Sequence, residues 1–172
     1  MSSNSLATAA KLTPPHGLDQ IIHTFGDIFS YLHLDHTLDP HWQAEQLRTV
    51  PLPFALALSW DRSRKVEHIT CHKLLQPAFE RVFAALVKSG LQSKVTSFSG
   101  CFSFRPKRTG TKLSANSWGI AIDLNPESNQ QGTSGNMDPE VVSVFREAEF
   151  TWGGDWSGRD HDPMHFQFCT GY

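Results

Sequence analysis

Two short apolar segments in the last third of the chain each contain an ionisable residue where a buried strand is expected. Asp123 directly follows the apolar run 120–122, and His165 lies between Met164 and Phe166. A carboxylate in a buried strand carries a desolvation penalty unless a partner or a metal ion compensates for it. Any fold that buries both segments must therefore bring a compensating group to each of them.

A third ionisable residue lies between these segments. Asp155 stands in the sequence TWGGDW, residues 151–156, beside two tryptophans and two glycines. Two carboxylates and a histidine in such surroundings are typical of a hydrolytic zinc site, where three protein ligands leave one position for water. Plainer interpretations stay open: Asp123 could pair with Arg105, and His165 could be a hydrogen-bonded core histidine. Asp155 could simply fix a turn.

The length and composition favour one globular domain. A chain of 172 residues with a formal net charge of -2 and 39% hydrophobic residues can bury a sizeable core, but leaves little room for a second catalytic module. Its basic residues are too few for a nucleic-acid interface, and we expect a monomer. The three cysteines form no CxxC pair, which favours buried thiols, although oxidation of one pair stays open.

No apolar run reaches the roughly 18 residues of a transmembrane helix, and the start of the sequence lacks the pattern of a signal peptide. We therefore expect no membrane segment. Residues 1–17 have no apolar period and predict a flexible arm, followed by a single domain over residues 18–172.

Hydrophobic periodicity predicts three helices in this domain. Apolar residues recur at helical spacing over 18–33 and, most strongly, over 73–89, where Gly90 is placed as the C-terminal stop. Asp138 and Pro139 are typical of the start of a third helix.

Strands are predicted from alternation and from short apolar runs. Residues 54–59 alternate and could form a hairpin with 66–70, while 93–104 and 164–168 read as further strands. Helices and strands in this order favour an α+β fold rather than alternating βαβ units.

The sequence SANSWGIAID at 114–123 resembles a motif of the M15 family of zinc peptidases, which reads Ser-x-His-x-x-Gly-x-Ala-x-Asp. This family includes D-alanyl-D-alanine carboxypeptidases and L-alanyl-D-glutamate endopeptidases that cut bacterial cell-wall peptides. The likeness covers roughly residues 50–172 and includes a later acidic residue and a final histidine in the same order. It implies an α+β fold with a small antiparallel sheet, helices on one side and a metal cleft on the open face.

The resemblance also implies a role for each matching residue. Asp123 and His165 correspond to the second and third zinc ligands, and Asp155 corresponds to the catalytic acid or base. Arg105 corresponds to the arginine that steadies the substrate and the developing oxyanion. The implied cofactor is Zn²⁺, and the implied partner is a peptidoglycan stem peptide.

Asn116 stands where the family has its first zinc-binding histidine. An amide oxygen is a neutral and weak zinc ligand compared with imidazole. Because loss of a supporting partner alone costs about 10–100-fold in metal affinity, loss of a direct ligand is expected to cost at least as much. His161, four residues before His165, is a candidate substitute ligand.

Three further residues take their expected roles from the same comparison. Ser114 and Trp118 belong to the matching motif and are expected to contact the substrate. Glu149 stands where the family often has glycine, and we expect this departure to affect a turn rather than the chemistry.

The resulting hypothesis is a zinc-dependent metallopeptidase of the cell wall, of endopeptidase or carboxypeptidase type, with a weakened metal site. The alternative is an inactive pseudoenzyme, or an inactivated variant of an active parent, that binds wall peptides without cleaving them. An endolysin-like phage protein and a cellular wall-remodelling enzyme both stay open. Without a signal peptide, such a protein is expected to remain cytoplasmic until release or to reach the wall by another route.

Overall fold

A computed structural model describes residues 11–172, which form an α+β fold. The helices are α1 (Gly17–Phe25), α2 (Pro40–Gln46), α3 (Gln76–Lys88) and α4 (Pro139–Glu147). The strands are β1 (Leu47–Leu58), β2 (Asp61–His72), β3 (Ser97–Gly100), β4 (Ala121–Leu124), β5 (Thr151–Trp152) and β6 (His165–Gln167). All six strands belong to one sheet in the order β2-β1-β3-β4-β6-β5. The predicted fold class is confirmed.

The sheet is mixed, which corrects the expectation of a purely antiparallel sheet. Strands β1 and β3 are parallel, with Ala57 opposite Ser97 and Leu58 opposite Phe98, whereas the other neighbouring pairs are antiparallel. Parallel neighbours need a long crossover connection, and α3 lies in the segment that supplies it. Helix α3 packs against β1 and α4.

The predicted helix over residues 18–33 is interrupted at Gly26. Helix α1 ends at Phe25, and a separate 3₁₀ turn follows at Ile28–Tyr31. Gly26 has a φ of 98°, a conformation that glycine adopts more readily than other residues. The helical period therefore continues in the sequence, although the backbone changes direction.

The predicted end of α3 and the predicted start of α4 are confirmed, whereas the first turn of the helix predicted from residue 73 is a 3₁₀ turn, Lys73–Leu75. Helix α3 ends just before Gly90, which has a φ of 69°. At the start of α4 the Asp138 side chain accepts a hydrogen bond of 2.9 Å from the Glu140 backbone N–H. After α4, Glu149 adopts a φ of 69°, so the departure from glycine falls in a left-handed turn.

The aromatic core fixes the position of the last strand. Phe145 of α4 and Phe166 of β6 are fully buried, and their rings stack with centroids 4.2 Å apart. All four residues of β4, the neighbour of β6, are buried as well. The two strands that carry Asp123 and His165 therefore lie deep in the fold rather than at its periphery.

The segment before α1 is attached to the end of the chain. Residues 1–10 of the predicted arm lie outside the described residues, but Pro15 accepts a hydrogen bond of 2.9 Å from the Thr170 N–H, and Gly17 donates one of 2.8 Å to the Thr170 carbonyl.

Cys71, Cys101 and Cys169 are buried free thiols, one of the two states left open by the sequence. Over residues 11–172 no helix has the length and apolarity needed to cross a membrane.

Candidate active site

The antiparallel pairing of β4 and β6 brings Asp123 opposite His165. The Nδ1 atom of His165 lies 2.7 Å from Oδ1 of Asp123, and the two residues are only 6% and 3% exposed. Two residues predicted as zinc ligands are thus in direct contact in the interior of the fold.

The other ring nitrogen of His165 faces Gln167, two residues along β6. The distance from Nε2 to the Gln167 Oε1 is 3.0 Å, and the Gln167 Nε2 donates to the Cys169 carbonyl at 3.3 Å. Because the amide nitrogen is used as a donor, the amide oxygen must accept from the imidazole. Gln167 therefore keeps a proton on Nε2 and directs Nδ1 toward Asp123.

Burial and charge act in opposite directions on this pair. Burial alone would lower the pKa of His165, but the hydrogen bond and negative charge of Asp123 outweigh it and raise the pKa. Burial alone would raise the pKa of Asp123, but the hydrogen bond and charge of His165, with the charge of Arg105, lower it. Without a metal ion, the contact therefore favours the charged form of each partner.

Asn116 lies beside this pair in a 3₁₀ turn, Ala115–Trp118. Its Oδ1 accepts hydrogen bonds from the Ser114 Oγ at 2.8 Å and the Arg105 Nη2 at 3.4 Å. Its Nδ2 donates to the Cys101 carbonyl at 3.2 Å. The amide is therefore fixed, with its oxygen on the side of Arg105.

Gly119 ends this turn with a φ of 70°, and a Cβ there would lie 2.8 Å from the backbone nitrogen of His72. Only glycine fits so close to β2, which explains why the turn that presents Asn116 ends at this residue.

Arg105 reaches into the site from the cleft. One of its guanidinium nitrogens, Nη2, lies 3.3 Å from the Asp123 Oδ2 and 3.4 Å from the Asn116 Oδ1. Its backbone N–H donates to the Ser117 Oγ at 3.1 Å. Arg105 therefore places a positive charge between Asp123 and Asn116, two of the three predicted zinc-ligand positions.

Asp155 lines the same cleft, but its carboxylate is bound by another residue. Arg146 of α4 donates to both carboxylate oxygens, at 2.7 Å and 2.6 Å, and the Asp155 side chain is 51% exposed. The Asp155 charge is thus compensated at the rim of the cleft.

Asp162 is a candidate that the sequence analysis missed. It is 7% exposed and lines the cleft with His165. Its Oδ1 has no hydrogen-bond partner among the described residues, and its Oδ2 lies 3.9 Å from the Arg108 Nη1. Burial raises the pKa of this carboxyl. The available sequence signal was its position three residues before a predicted ligand. In the structure the His165 N–H donates to the Asp162 carbonyl at 3.1 Å.

Apart from Asn116 and Asp123, which do not themselves line the cleft, two candidate residues do not reach it. Trp118 is fully buried, donates from Nε1 to the Gly26 carbonyl at 3.1 Å, and packs edge-on against Tyr172. Its expected contact with substrate is therefore corrected to a role in the core. His161 uses Nδ1 in a 2.9 Å hydrogen bond with the Trp156 carbonyl and is not among the cleft residues.

The cleft has a volume of about 460 Å³. Basic residues and acidic residues both contribute to its walls. They are Arg105, Lys107, Arg108, Asp155, Asp160 and Asp162, with the predicted residues Ser114 and His165 between them. A cleft of this size and polarity suits a short, charged ligand.

The donors beneath the cleft would hold a zinc ion only with reduced affinity. A carboxylate oxygen and an imidazole nitrogen converge there, and Gln167 orients the imidazole. The third donor, the Asn116 amide oxygen, is weak and already accepts two hydrogen bonds. Over residues 11–172 no cluster of three His, Cys, Asp or Glu residues forms a metal site, so the zinc would depend on this amide.

The α+β fold thus holds an aspartate–histidine pair beneath a charged cleft. Residues 107–168 match the M15 peptidase family described as D-alanyl-D-alanine carboxypeptidase, which confirms the resemblance over this segment. The segment contains Asn116, Asp123 and His165, but not Arg105. Comparisons with curated proteins and with solved structures give no significant match.

Proposed function

We propose that this protein is a zinc-dependent peptidase that hydrolyses a peptide bond in peptidoglycan stem peptides. The observation that carries the proposal is the contact of 2.7 Å between Asp123 and His165, beneath a polar cleft. The family match at residues 107–168 supports the same reaction class.

Asp123, His165 and Asn116 are the residues that would hold the zinc ion. When bound, zinc supplies a water molecule that is acidic near neutral pH and polarises the carbonyl under attack. Gln167 holds the His165 ring in the orientation that leaves Nδ1 directed at the site.

Asp162 is the residue that we assign to proton transfer. Asp162 lines the cleft beside His165, and neither of its oxygens is bound as closely as those of Asp155, so its carboxylate is the one available to accept a proton from water and return it to the leaving amine. Asp155 is the alternative, but Arg146 already binds both of its oxygens at the exposed rim. Both oxygens of Asp155 are thus already occupied by a hydrogen-bond donor.

Arg105 and Ser114 would bind and orient the substrate. The guanidinium provides several donors in a fixed plane, which suits the charge that develops on the carbonyl oxygen. Ser114 lines the cleft and positions the Asn116 oxygen through a hydrogen bond of 2.8 Å.

Hydrolysis of synthetic stem peptides, followed by mass spectrometry with zinc supplied, tests this function. We expect cleavage at an L-Ala–D-Glu or D-Ala–D-Ala bond, and its loss on addition of a chelator. Asp162→Asn should lower kcat by about 10²–10⁴-fold, whereas the matched variant Asp155→Asn should have a much smaller effect. Absence of cleavage for every peptide would reject the function, and the opposite ranking of the two variants would return the role to Asp155.

One observation favours a second candidate, a metal-free module that binds wall peptides. Arg105 already places a positive charge beside Asp123 and Asn116, as a cation in the metal site would. Metal analysis of the purified protein distinguishes the two. Peptide binding by a protein that retains no zinc when zinc is supplied, and cleaves nothing, would favour the module.

A further inference from the structure

A lysine on the cleft wall is placed differently from the other basic residues there. Lys107 lies in the turn that connects the bridge partners Pro106 and Leu113, and its N–H donates to the Lys112 carbonyl at 2.8 Å. Its side chain lines the cleft, with Nζ 4.4 Å from the centre of the Tyr172 ring. The turn and the ring together fix the direction of the ammonium group.

The Tyr172 ring in contact with this ammonium group is itself held in place by two contacts. Its hydroxyl donates to the Leu113 carbonyl at 2.8 Å, and its ring packs edge-on against the buried Trp118 at 5.9 Å. A cation over an aromatic face is attracted by the ring, and this contact leaves the N–H donors of the ammonium available.

The other two cations of the cleft already have acidic partners. Arg105 lies 3.3 Å from Asp123, and Arg108 lies 3.9 Å from Asp162. Lys107, by contrast, has no carboxylate within 4.0 Å of its Nζ among residues 11–172. It is half-buried, and this burial lowers its pKa. A partly desolvated ammonium with free donors favours an anionic ligand.

We propose that Lys107 binds a free carboxylate of the substrate, while the bond to be cleaved lies over the Asp123–His165 pair. This inference rests on the proposed function and adds a preference for acidic peptides. The carboxylate belongs either to the C-terminus of the peptide or to an acidic side chain, and both present the same chemistry to the lysine.

Calorimetric binding of L-Ala–D-Glu peptides to the full chain tests this inference, with a chelator present to prevent turnover. Three peptides are compared: one with both carboxylates free, one amidated at the C-terminus and one amidated at the side chain. The variants are Lys107→Met, Lys107→Arg and Lys112→Met. Lys112 is the matched control because it lies in the same turn, is exposed and does not line the cleft.

We expect Lys107→Met to weaken binding of the free peptide by roughly 10–100-fold, as loss of a charged hydrogen bond does. Lys107→Arg should retain most of the affinity, and Lys112→Met should retain all of it. Amidation of the contacted carboxylate should weaken binding to the wild type by the same factor as Lys107→Met weakens binding of the free peptide. Lys107→Met should then have no further effect on that peptide, which identifies the carboxylate.

Either of two results would overturn this inference while leaving the proposed function intact. One is peptide binding that is unaffected by Lys107→Met. The other is an equal loss of affinity on Lys107→Met for the free peptide and for both amidated peptides. The second result would show that Lys107 only supports the turn against Tyr172. If no peptide binds to the wild type and none is cleaved with zinc, the proposed function fails, and this inference fails with it.

Discussion

His165 and Asp123 are 42 residues apart in sequence but in contact across two neighbouring strands. Their contact depends on the register of β4 and β6, because a shift of one residue would turn each side chain to the opposite face of the sheet. The stacking of Phe145 on Phe166 helps to hold β6 in this register. The candidate site is thus determined by the packing of the core as much as by the ionisable residues themselves.

Asn116→His is predicted to raise zinc affinity at least 10–100-fold, since it supplies an imidazole in place of a weak amide oxygen. Competition with a chromogenic chelator measures the affinity directly. Asn116→Ala is the control, because it removes the amide without adding a ligand. Equal zinc affinity in the histidine variant and the wild type would show that position 116 does not contribute to the metal site.

Gln167→Leu is predicted to lower zinc affinity by about 10–100-fold, because the His165 ring loses the group that orients it. The variant is also expected to lose about 1–3 kcal/mol of unfolding free energy, since a buried N–H is left without an acceptor. Gln167→Glu retains an acceptor and should keep the ring orientation. Zinc affinity equal to that of the wild type in the leucine variant would contradict the role of Gln167.

Glu149→Gly is predicted to raise the unfolding free energy by about 1 kcal/mol, because Glu149 holds a left-handed φ of 69° that glycine adopts without strain. Urea denaturation measures this change. Glu149→Ala separates the loss of the ion pair with Lys11 from the relief of backbone strain, because it removes the ion pair but keeps the left-handed backbone. A glycine variant no more stable than the alanine variant would contradict the assignment of strain.

His72 is predicted to make the fold sensitive to acid. The residue is 1% exposed, Nε2 donates to the Phe25 carbonyl and Nδ1 accepts from the Leu74 N–H, so the neutral ring is satisfied. Burial lowers its pKa to about 4. His72 takes up a proton near pH 6.5 in the unfolded chain but only near pH 4 in the folded chain. The contribution of His72 is therefore complete above pH 6.5 and is lost as the pH falls toward 4.

The loss expected from His72 is on the order of 3 kcal/mol between pH 7 and pH 4. Unfolding free energies of the wild type and His72→Asn, measured over this range, isolate it from the other titrating groups. Asparagine can supply one donor and one acceptor in the same place without titrating. Parallel pH profiles for the two proteins would contradict the prediction.

Local sequence patterns were sufficient for the elements whose causes are local. The period over residues 73–89 and the cap at Asp138 act within a few residues of the chain, and both predictions were confirmed. The break at Gly26 was not predicted, because the apolar period continues across it. The parallel pairing of β1 and β3 was missed because it joins segments separated by the whole of strand β2 and helix α3.

The same distinction applies to the site. The contact of Asp123 with His165 was expected from the family resemblance, but the partners of the other residues depend on the tertiary fold. No local pattern indicates that Arg146 binds Asp155, or that Trp118 points into the core. The lack of a partner at Asp162 is likewise visible only when its surroundings are known.

Zinc titration of the ¹⁵N-labelled protein, followed through the ring nitrogens of His165, tests the central claim most directly. Excess zinc should change the Nδ1 resonance of His165, while Nε2 stays protonated against Gln167, and Asp123→Asn should weaken the response. An Nδ1 resonance that does not respond to zinc, in the wild type and in Asn116→His alike, would contradict the claim that Asp123 and His165 share one ion.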